Sequence, residues 1–420
     1  MSAQMARYED PPIIVVGAGI VGVCCALYLL RDNHRVILMD RGAPGEGTSF
    51  GNGSIITEEA VVPVQTPGVA GKVPGMLLDP LGPLAIRWSY LPKIAPWLYH
   101  FIRASDPGRV EEASIALASL LDGALAAYDP LVDAAGIRGM IRRSGWVSVY
   151  ETEAGFKSYK PLLEIQRRRG VNFEVVGPEE LRQLEPSLAP IFVRGVFYPD
   201  VSHTVNNFRF VQELAAAFIR LGGEIRQQAV VGFEQRDDRV SAVVTEAGAT
   251  NCRNVVIAAG AWSKKLAVLL GSKPPLDTER GYHLTLPHPG INQRLPIYST
   301  ERGIVCTPLE NGMRIAGTIE LGGLDAPPDW RRADVLYENA GRWFPGLDRQ
   351  DESRWMGHRP SMPDSVPVIG PAPRCPNAIF AFGHGHCGLS LAARTGVLVS
   401  ALVAGRDPGI DMAPYRVDRF

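Results

Sequence analysis

A glycine cluster near the amino terminus has the spacing needed to bind a nucleotide. Gly17, Gly19 and Gly22 follow an apolar run at 13–16, and Asp40 ends a second apolar run. The first glycine permits a tight turn, the second leaves space for a pyrophosphate, and the third lets a helix pack closely on a strand. The helix start offers N–H groups to phosphate, and the acid can accept hydrogen bonds from both ribose hydroxyls. Because an acid disfavours a 2′-phosphate, the pattern predicts NAD or FAD rather than NADP.

A second glycine-rich turn lies near the carboxyl terminus. Gly383, Gly385 and Gly388 follow an apolar run and lead into a predicted helix at 389–404. A helix start aimed at a ligand stabilises negative charge, and reduction of a flavin places such a charge on its N1–C2=O edge. Hydride addition to NAD neutralises the nicotinamide instead. The second turn therefore favours FAD, with a purely structural turn as the alternative.

Arg359 has the chemistry to bind a carboxylate. It lies in GHRPSMPDSVPVIG (357–370), where prolines and small residues restrict the backbone. A guanidinium can hold a carboxylate with two parallel hydrogen bonds. The residues alone leave a second interpretation open, in which Arg359 forms a structural salt bridge.

The elements that must position these groups alternate along the chain. Apolar runs that predict strands are found at 146–150, 195–200, 224–228, 241–246 and 254–260, and antiparallel strands are predicted at 282–286, 304–308 and 313–318. Helical periodicity covers 111–135, 157–170 and 206–221, and a further helix begins at Pro178. The predicted fold class is mixed α/β, a Rossmann-like FAD-binding domain interleaved with an antiparallel-sheet substrate domain. The FAD-binding segments are 1–76, 195–275 and 355–420, and the substrate segments are 77–194 and 276–354.

The composition disfavours several functional classes. A net charge of −1 and a pI near 6.7 give no reason to expect a nucleic acid partner. The six cysteines lack metal-binding spacing, which predicts reduced thiols, a cytoplasmic protein and no metal site. The segment 77–104 is dense in Pro, Trp, Tyr and Leu. It could be a buried connector, the wall of a substrate entrance, or a peripheral contact with the inner face of the membrane.

With these motifs assembled, the chain resembles the FAD-dependent amine and amino acid oxidoreductases of the D-amino acid oxidase superfamily. The similarity is greater to the bacterial D-amino acid dehydrogenases than to glycine oxidase or sarcosine oxidase. The motifs that carry it are VVGAGIVGVCCALYL (15–29) with Asp40, TSFGNGS (48–54), RGYHLT (280–285), GHRPSMPDSVPVIG (357–370) and FGHGHCGLSLA (382–392). The last three together are the specific part of the resemblance.

The resemblance implies roles for particular residues. Arg359 would bind the substrate carboxylate, with help from Tyr282. FAD would be non-covalent, because relatives with a flavin-linked cysteine carry it where this chain has Gly357; a link through Cys387 is the alternative. The residues expected to hold FAD are Gly17, Gly19, Ile20, Val21, Gly22, Asp40, Arg41, Thr48, Ser49, Asn52, Gly53, Ser54, Val230, Ala259, Gly260, Gly357, Gly383, His384, Gly385, His386, Gly388, Leu389 and Ser390.

Histidines depart from the pattern of the D-amino acid dehydrogenases. Five of the eight, namely His203, His283, His358, His384 and His386, fall in segments expected near the active site. They could steer a carboxylate-bearing substrate or stabilise reduced flavin, or they could only cap turns. Of these five histidines, His203 and His358 are the ones that we rank first as functional residues.

The expected reaction is oxidative deamination of a small amino acid, with the D-form favoured. Hydride would pass from the substrate Cα to flavin N5 while the amine is neutral, and the electrons would then reach a quinone, another acceptor or oxygen. One alternative is a secondary amine acid such as proline, hydroxyproline or sarcosine. Another is a non-catalytic FAD subunit that relays electrons in a larger complex. The second glycine turn disfavours a third, an NAD-dependent dehydrogenase.

Overall fold

The computed structural model describes residues 10–78 and 82–420. Its strands are β1 (Ile13–Val16), β2 (Val36–Asp40), β3 (Ile55–Ile56), β4 (Leu84–Ile86), β5 (Ile141–Arg142), β6 (Trp146–Tyr150), β7 (Glu174–Val176), β8 (Arg194–Tyr198), β9 (Ser202–Thr204), β10 (Glu224–Gln227), β11 (Val230–Arg236), β12 (Arg239–Thr245), β13 (Gly248–Asn251), β14 (Asn254–Ile257), β15 (Asp277–Leu286), β16 (Ile297–Ser299), β17 (Ile304–Leu309), β18 (Gly312–Leu321), β19 (Ser353–Ser361), β20 (Val368–Ala372) and β21 (Cys375–Phe382). Its helices are α1 (Ile20–Arg31), α2 (Val69–Leu78), α3 (Leu91–Ala104), α4 (Pro107–Leu121), α5 (Asp129–Ala135), α6 (Glu153–Arg168), α7 (Pro178–Leu184), α8 (Asn207–Arg220), α9 (Ser263–Leu269), α10 (Arg331–Trp343) and α11 (Gly388–Val403).

A six-stranded sheet supports both glycine turns. Its strand order is β10-β2-β1-β14-β21-β20, and every pair is parallel except β21 with β20. All four residues of β1 are buried, as expected for a parallel strand covered on both faces. Ligands bind at the carboxyl ends of such strands. The turns that follow β1, β14 and β21 therefore meet at one edge of the sheet.

Apolar helices form part of the core around this sheet. Residues of α1 and α11, among them Val23, Leu27 and Leu398, belong to one buried cluster. Two helical segments, 107–135 and 385–403, are long and apolar enough to cross a membrane by length and composition. Both contribute buried residues to the same cluster, as core helices do.

The second large sheet is mostly antiparallel and has strand order β19-β15-β18-β17-β16-β6-β8-β7, with β4 beside β18. Helix α10 packs on one face of it, where Leu336 and Trp343 are fully buried next to Leu284. The opposite face carries Glu279, Gly281 and other residues that line a cavity. The sheet thus has an apolar face against a helix and a functional face toward the first sheet.

The predicted fold class is confirmed, but several element boundaries differ. The helix predicted at 111–135 is interrupted after Leu121, because Gly123 adopts a left-handed conformation with φ +69°. The strand predicted at 282–286 begins five residues earlier, at Asp277. Its first part is buried but polar, and a register shift between Arg280 and Tyr282 hides the alternation.

Two strands lie across the predicted domain boundaries. β8 pairs with β6, and β19 pairs with β15, so both belong to the second sheet. The predicted boundaries at 195 and 355 place most of each strand in the FAD-binding domain instead. Local sequence does not show sheet membership here, because each strand joins a neighbour that is distant along the chain. The division into two interleaved domains otherwise stays a prediction.

Candidate active site

One cavity of about 820 Å³ lies between the carboxyl edge of the first sheet and the functional face of the second. Both glycine turns, the loop at 45–53 and the face of β15 contribute to its wall. Its size is near the upper end for small-molecule and cofactor sites, which suits a long ligand together with a small one.

The first glycine turn is shaped by close backbone contacts. Gly17 has φ +108°, and a Cβ there would lie 2.4 Å from the carbonyl oxygen of Ala258. A Cβ on Gly22 would lie 1.8 Å from the carbonyl oxygen of Gly17. Neither position can carry a side chain without displacing backbone, so the turn and helix α1 stay close to β14.

Asp40 holds this turn in place. Its carboxylate accepts hydrogen bonds from the backbone N–H groups of Ala18 (2.6 Å) and Gly42 (3.0 Å). The residue also lines the cavity, where the remaining lone pairs can accept ribose hydroxyls. The next residue, Arg41, stacks its guanidinium over Trp262 at 4.0 Å and adds a flat wall beside it.

Most of the residues predicted to hold FAD line the cavity. They are Gly17, Gly19, Ile20, Val21, Asp40, Arg41, Thr48, Ser49, Asn52, Gly53, Val230, Ala259, Gly260, Gly357, His384, Gly385, His386, Gly388, Leu389 and Ser390. Gly22, Ser54 and Gly383 do not line the cavity; they determine the course of the backbone next to it. Ser54 and Gly383 have positive φ values of +67° and +83°, so both shape turns beside the cavity.

The cavity wall fits a flavin dinucleotide. A Cβ built on Gly47 or Gly260 meets no protein atom within 4 Å, so these glycines border open space that a flat ligand can fill. Two helix starts, those of α1 and α11, face the same space and favour anionic phosphate and the reduced pyrimidine edge. The described residues contain no cluster of metal-ligating side chains.

Arg359 enters the cavity from β19, opposite Glu279 of β15. Its Nη1 donates to the carbonyl oxygen of Thr318 (2.9 Å) and its Nη2 to that of Gly317 (3.4 Å). A Cβ on Gly281 would lie 2.3 Å from the Arg359 Cζ, so glycine at 281 gives the guanidinium its space. Burial lowers the pKa of Arg359, although nearby Glu279 opposes that shift, and the group stays cationic.

Thr318 is a strained residue beside this guanidinium. Its φ of +54° is uncommon for a β-branched side chain. The carbonyl oxygen of Thr318 accepts the hydrogen bond from Arg359, and Thr318 itself lines the cavity. Strained backbone of this kind often occurs at functional sites.

The glycine turn at 383–388 brings two histidines to the cavity. His384 Nε2 lies 3.0 Å from the hydroxyl of Thr395, and burial lowers the pKa of His384 to about 4. His386 Nε2 lies 3.6 Å from Glu279 Oε2. Burial and the charge of Arg359 lower the pKa of His386 to about 3. Both imidazoles are therefore neutral at ordinary pH.

The role predicted for Tyr282 is wrong. Its hydroxyl donates to Glu320 and accepts from the backbone N–H of Asp329 at 2.9 Å, and the side chain packs in the cluster around α10. Successive residues of a strand point to opposite faces. Tyr282 therefore lies on the face away from Arg359 and outside the cavity wall.

The predictions for His203 and His358 are also wrong, since neither side chain lines the cavity. His203 is 2% exposed in the small sheet beside β5, with Nδ1 3.0 Å from the Ser144 hydroxyl. His358 packs edge-on against Trp262, on the face of β19 opposite Arg359. Burial lowers the pKa of each to about 4. His283, whose Nδ1 lies 3.0 Å from the Gly51 carbonyl oxygen, is likewise outside the wall.

Several cavity residues were not found from the sequence. They are polar or aromatic side chains from separate elements, namely Glu59, Trp146, Tyr159, Gln166, Glu279 and Tyr298. Glu279 directly precedes RGYHLT, and Glu59 lies five residues after the end of TSFGNGS. Nearness to these motifs was the available signal for both residues, and the other four carry none.

A dinucleotide cradle with two helix starts, and an arginine in the wall of the same cavity, are typical of flavin-dependent oxidoreductases. The chain belongs to the DAO family of FAD-dependent oxidoreductases, which it matches over residues 12–402. It is 39% identical to a D-amino-acid oxidase of Bradyrhizobium diazoefficiens, over 98% of this chain and 99% of that protein. A D-amino acid dehydrogenase of Paramagnetospirillum magneticum is 32% identical over 97% of this chain and 98% of the relative. The glycine oxidase of Bacillus cereus shares the fold, with a TM-score of 0.74 at 17% identity, over 98% and 99% of the two chains. The predicted family and the cofactor FAD are confirmed.

Proposed function

We propose that the protein catalyses the FAD-dependent oxidative deamination of an amino acid, with D-amino acids as its substrates. The observation that carries the proposal is Arg359, a partly buried guanidinium in the wall of the cavity that fits FAD. The described ion pairs do not include Arg359, and Glu279 instead lies near His386. The names of the two full-length relatives support the D-configuration.

The residues of the site determine how a substrate is held. When bound, FAD accepts a hydride from the carbon that bears the amine. The carbonyl oxygens of Thr318 and Gly317 orient the guanidinium of Arg359, which leaves its other N–H groups for a substrate carboxylate. The substrate amine must be neutral for hydride to leave, so the reaction should accelerate as that amine loses its proton. The imino acid product hydrolyses in water to a 2-oxo acid and ammonia.

The test is an anaerobic mixture of the purified holoenzyme with D- and L-amino acids, sarcosine and hydroxyproline isomers, monitored by flavin absorption. We expect D-amino acids to bleach the flavin band. In Arg359→Gln, kcat/KM should fall about 100-fold or more, because a buried charge partner is lost. The control is Arg354→Gln on the same strand, which is ion-paired with Asp334 and Glu352 away from the cavity and should change kcat/KM less than about twofold.

Two results would contradict the proposal. The substrate class is wrong if no amino acid reduces a flavin that is plainly bound. The carboxylate role is wrong if Arg359→Gln retains full FAD content and unchanged kinetic constants. Bleaching by sarcosine or proline alone would support the secondary-amine alternative.

We further propose that the electrons pass to a quinone at the cytoplasmic face of a membrane. The support is the segment 82–104, which carries Lys93 and Arg103 but no acidic residue; its third basic residue, Arg87, is ion-paired with Glu320. Its residues Trp88, Tyr99 and Ile102 are exposed by 70%, 58% and 54%. Basic segments with exposed apolar side chains suit an anionic lipid surface.

A further inference from the structure

A second subsite lies in the cavity wall near Arg359. Glu59, Tyr298 and Arg359 all line the cavity. The Arg359 guanidinium donates to the carbonyl oxygen of Gly317, and Gly317 pairs with Ile304, which pairs in turn with Ser299 next to Tyr298. If Arg359 binds the carboxylate of an amino acid, as proposed above, the side chain of that amino acid can extend past Tyr298 toward Glu59.

The carboxylate of Glu59 is held in place by hydrogen bonds and not by an ion pair. Gln166 Nε2 donates to Glu59 Oε2 at 2.9 Å. The other end of the Gln166 amide accepts from the Tyr198 hydroxyl at 3.0 Å, and Gln166 is 2% exposed, so its orientation is fixed. Thr57 also hydrogen-bonds to this side chain, and the described ion pairs do not include Glu59. The carboxylate lines the cavity without a cation of the protein beside it, so a ligand can supply the positive charge.

Aromatic rings complete the surroundings of this carboxylate. Tyr159 and Gln166 come from the same helix, α6, and Tyr159 and Tyr298 both lie within electrostatic reach of Glu59. Trp146 stacks on Tyr298 with centroids 5.1 Å apart and planes 7° apart. Aromatic faces attract ammonium and guanidinium groups, most strongly where water is excluded. A carboxylate among such rings has the chemistry of a cation site.

Glu279, the carboxylate of the wall that lies closest to Arg359 along the strand pairing, has a different position. It faces Arg359 across the β15–β19 pair and lies 3.6 Å from His386. Glu279 therefore lies beside the group that we propose binds the substrate carboxylate. Glu59 is held instead by Gln166 of α6, which leaves it to meet the end of a substrate side chain.

We propose that Glu59, with Gln166, Tyr159, Tyr298 and Trp146, binds the positively charged end of the substrate side chain, which makes basic amino acids such as D-lysine the preferred substrates. This inference rests on the proposed oxidation of D-amino acids and names the substrate class within it. Glu59 is the specificity-determining residue, and Gln166 positions it.

The experiment compares D-lysine with D-norleucine, which lacks the side-chain ammonium, using the holoenzyme. The wild-type protein should have a kcat/KM for D-lysine at least about tenfold higher, because a hydrogen bond to a charged group is typically worth that much or more. In Glu59→Gln this preference should fall about 10- to 100-fold, mainly through KM, with D-norleucine nearly unchanged. Glu58→Gln is the matched control, since the neighbouring Glu58 is exposed and lies outside the cavity wall.

A second measurement does not depend on turnover or on a variant. The wild-type holoenzyme is titrated with 6-aminohexanoate and with hexanoate, and binding is followed through the flavin absorption spectrum. We expect 6-aminohexanoate, which keeps the carboxylate and the terminal ammonium of lysine, to bind about tenfold more tightly.

The outcomes separate this inference from the proposed function. The inference is overturned if D-norleucine is oxidised as well as D-lysine, if hexanoate binds as tightly as 6-aminohexanoate, or if Glu59→Gln affects both amino acids equally. In each case the oxidation of D-amino acids itself stands. If no D-amino acid reduces the bound flavin, it is the proposed function that fails.

Discussion

Glu59 has a charge that should change close to neutral pH. Burial raises its pKa to about 7, against hydrogen bonds from Thr57 and Gln166 that lower it. The phenols that face it, those of Tyr159, Tyr198 and Tyr298, have pKa values raised by burial and remain neutral. Burial also raises the pKa of Cys387 to about 12, and the pKa of His386 is about 3, so neither titrates near pH 7. Arg359 remains cationic.

The ratio of kcat/KM for D-lysine to that for D-norleucine should therefore depend on pH. Below about pH 7 Glu59 is protonated and the ratio is small; above it the carboxylate is charged and the ratio rises, by about tenfold or more. Dividing the two profiles removes the titration of the α-amine that both substrates share. Steady-state rates from pH 5.5 to 9 with an artificial acceptor provide the measurement. A ratio that is flat with pH, or that rises equally in Glu59→Gln, would contradict this assignment.

The roles of single residues could be predicted from the sequence where those roles depend only on the conformation of neighbouring backbone. Gly17 and Asp40 were found because a turn and its capping acid lie within one strand-helix-strand unit. Tyr282 was misplaced because sequence alternation does not reveal which face of β15 meets the cavity, and a register shift at Gly281 obscures even the alternation. Glu59, Gln166 and Tyr298 come from a loop, a helix and a strand, and only the tertiary fold brings them together.

At the scale of elements, the contact between α1 and α11 depends on a glycine. A Cβ on Gly396 of α11 would lie 2.7 Å from the Tyr28 ring and 2.8 Å from the carbonyl oxygen of Cys24, both in α1. Gly396→Ala should lower the free energy of unfolding by about 1–3 kcal/mol, because the backbone of one helix must move. Denaturant unfolding monitored by circular dichroism, with FAD content measured in parallel, provides the check.

A second helical glycine supplies the control for that prediction. Gly341 lies in α10, and a Cβ there meets no atom within 4 Å. Gly341→Ala should therefore raise the free energy of unfolding by about 0.5–1 kcal/mol, since alanine loses less conformational freedom in a helix. If both variants shifted stability in the same direction, helix propensity and not the packing between α1 and α11 would be the controlling factor.

Element types were easier to predict than element lengths. Strand β6 and the helix starting at Pro178 match the sequence pattern, since alternation, proline and acidic residues are local signals. The helix predicted at 111–135 is two helices, because the left-handed Gly123 between them has no effect on apolar periodicity. The polar start of β15 was missed, because residues such as Thr278 and Glu279 are buried only through the neighbouring strands.

At the scale of the whole molecule, the site depends on two sheets that are each assembled from distant segments. The first sheet draws strands from both ends of the chain, and the second draws them from β4 to β19. Arg359 reaches the cavity because β19 crosses into the second sheet while the turn at 383–388 returns to the first. The motifs predicted a composite site, and the positions of the sheets relative to each other could not be read from any one segment.

The surface next to the cavity is the place where the molecule should meet a membrane. Helix α3 buries Ile94 and Trp97 against Leu321 and contributes Phe101 to the cavity wall. Its exposed side presents Tyr99 and Ile102, with Trp88 just before the helix. A lipid surface at this position would bring a membrane-dissolved acceptor close to the site.

Flotation with vesicles tests this arrangement. The holoenzyme should float with vesicles that contain phosphatidylglycerol and much less with phosphatidylcholine alone, and salt should weaken the binding because exposed charges are screened. Replacing Trp88, Tyr99 and Ile102 together by serine should abolish flotation while oxidation of D-amino acids with a soluble dye is retained. The matched control replaces Ile115, Ile219 and Val231, which are exposed by 53%, 54% and 53% on other elements, and should still float. Equal flotation of the two triple variants, or none by the wild-type protein, would show that the segment 82–104 is not a membrane contact.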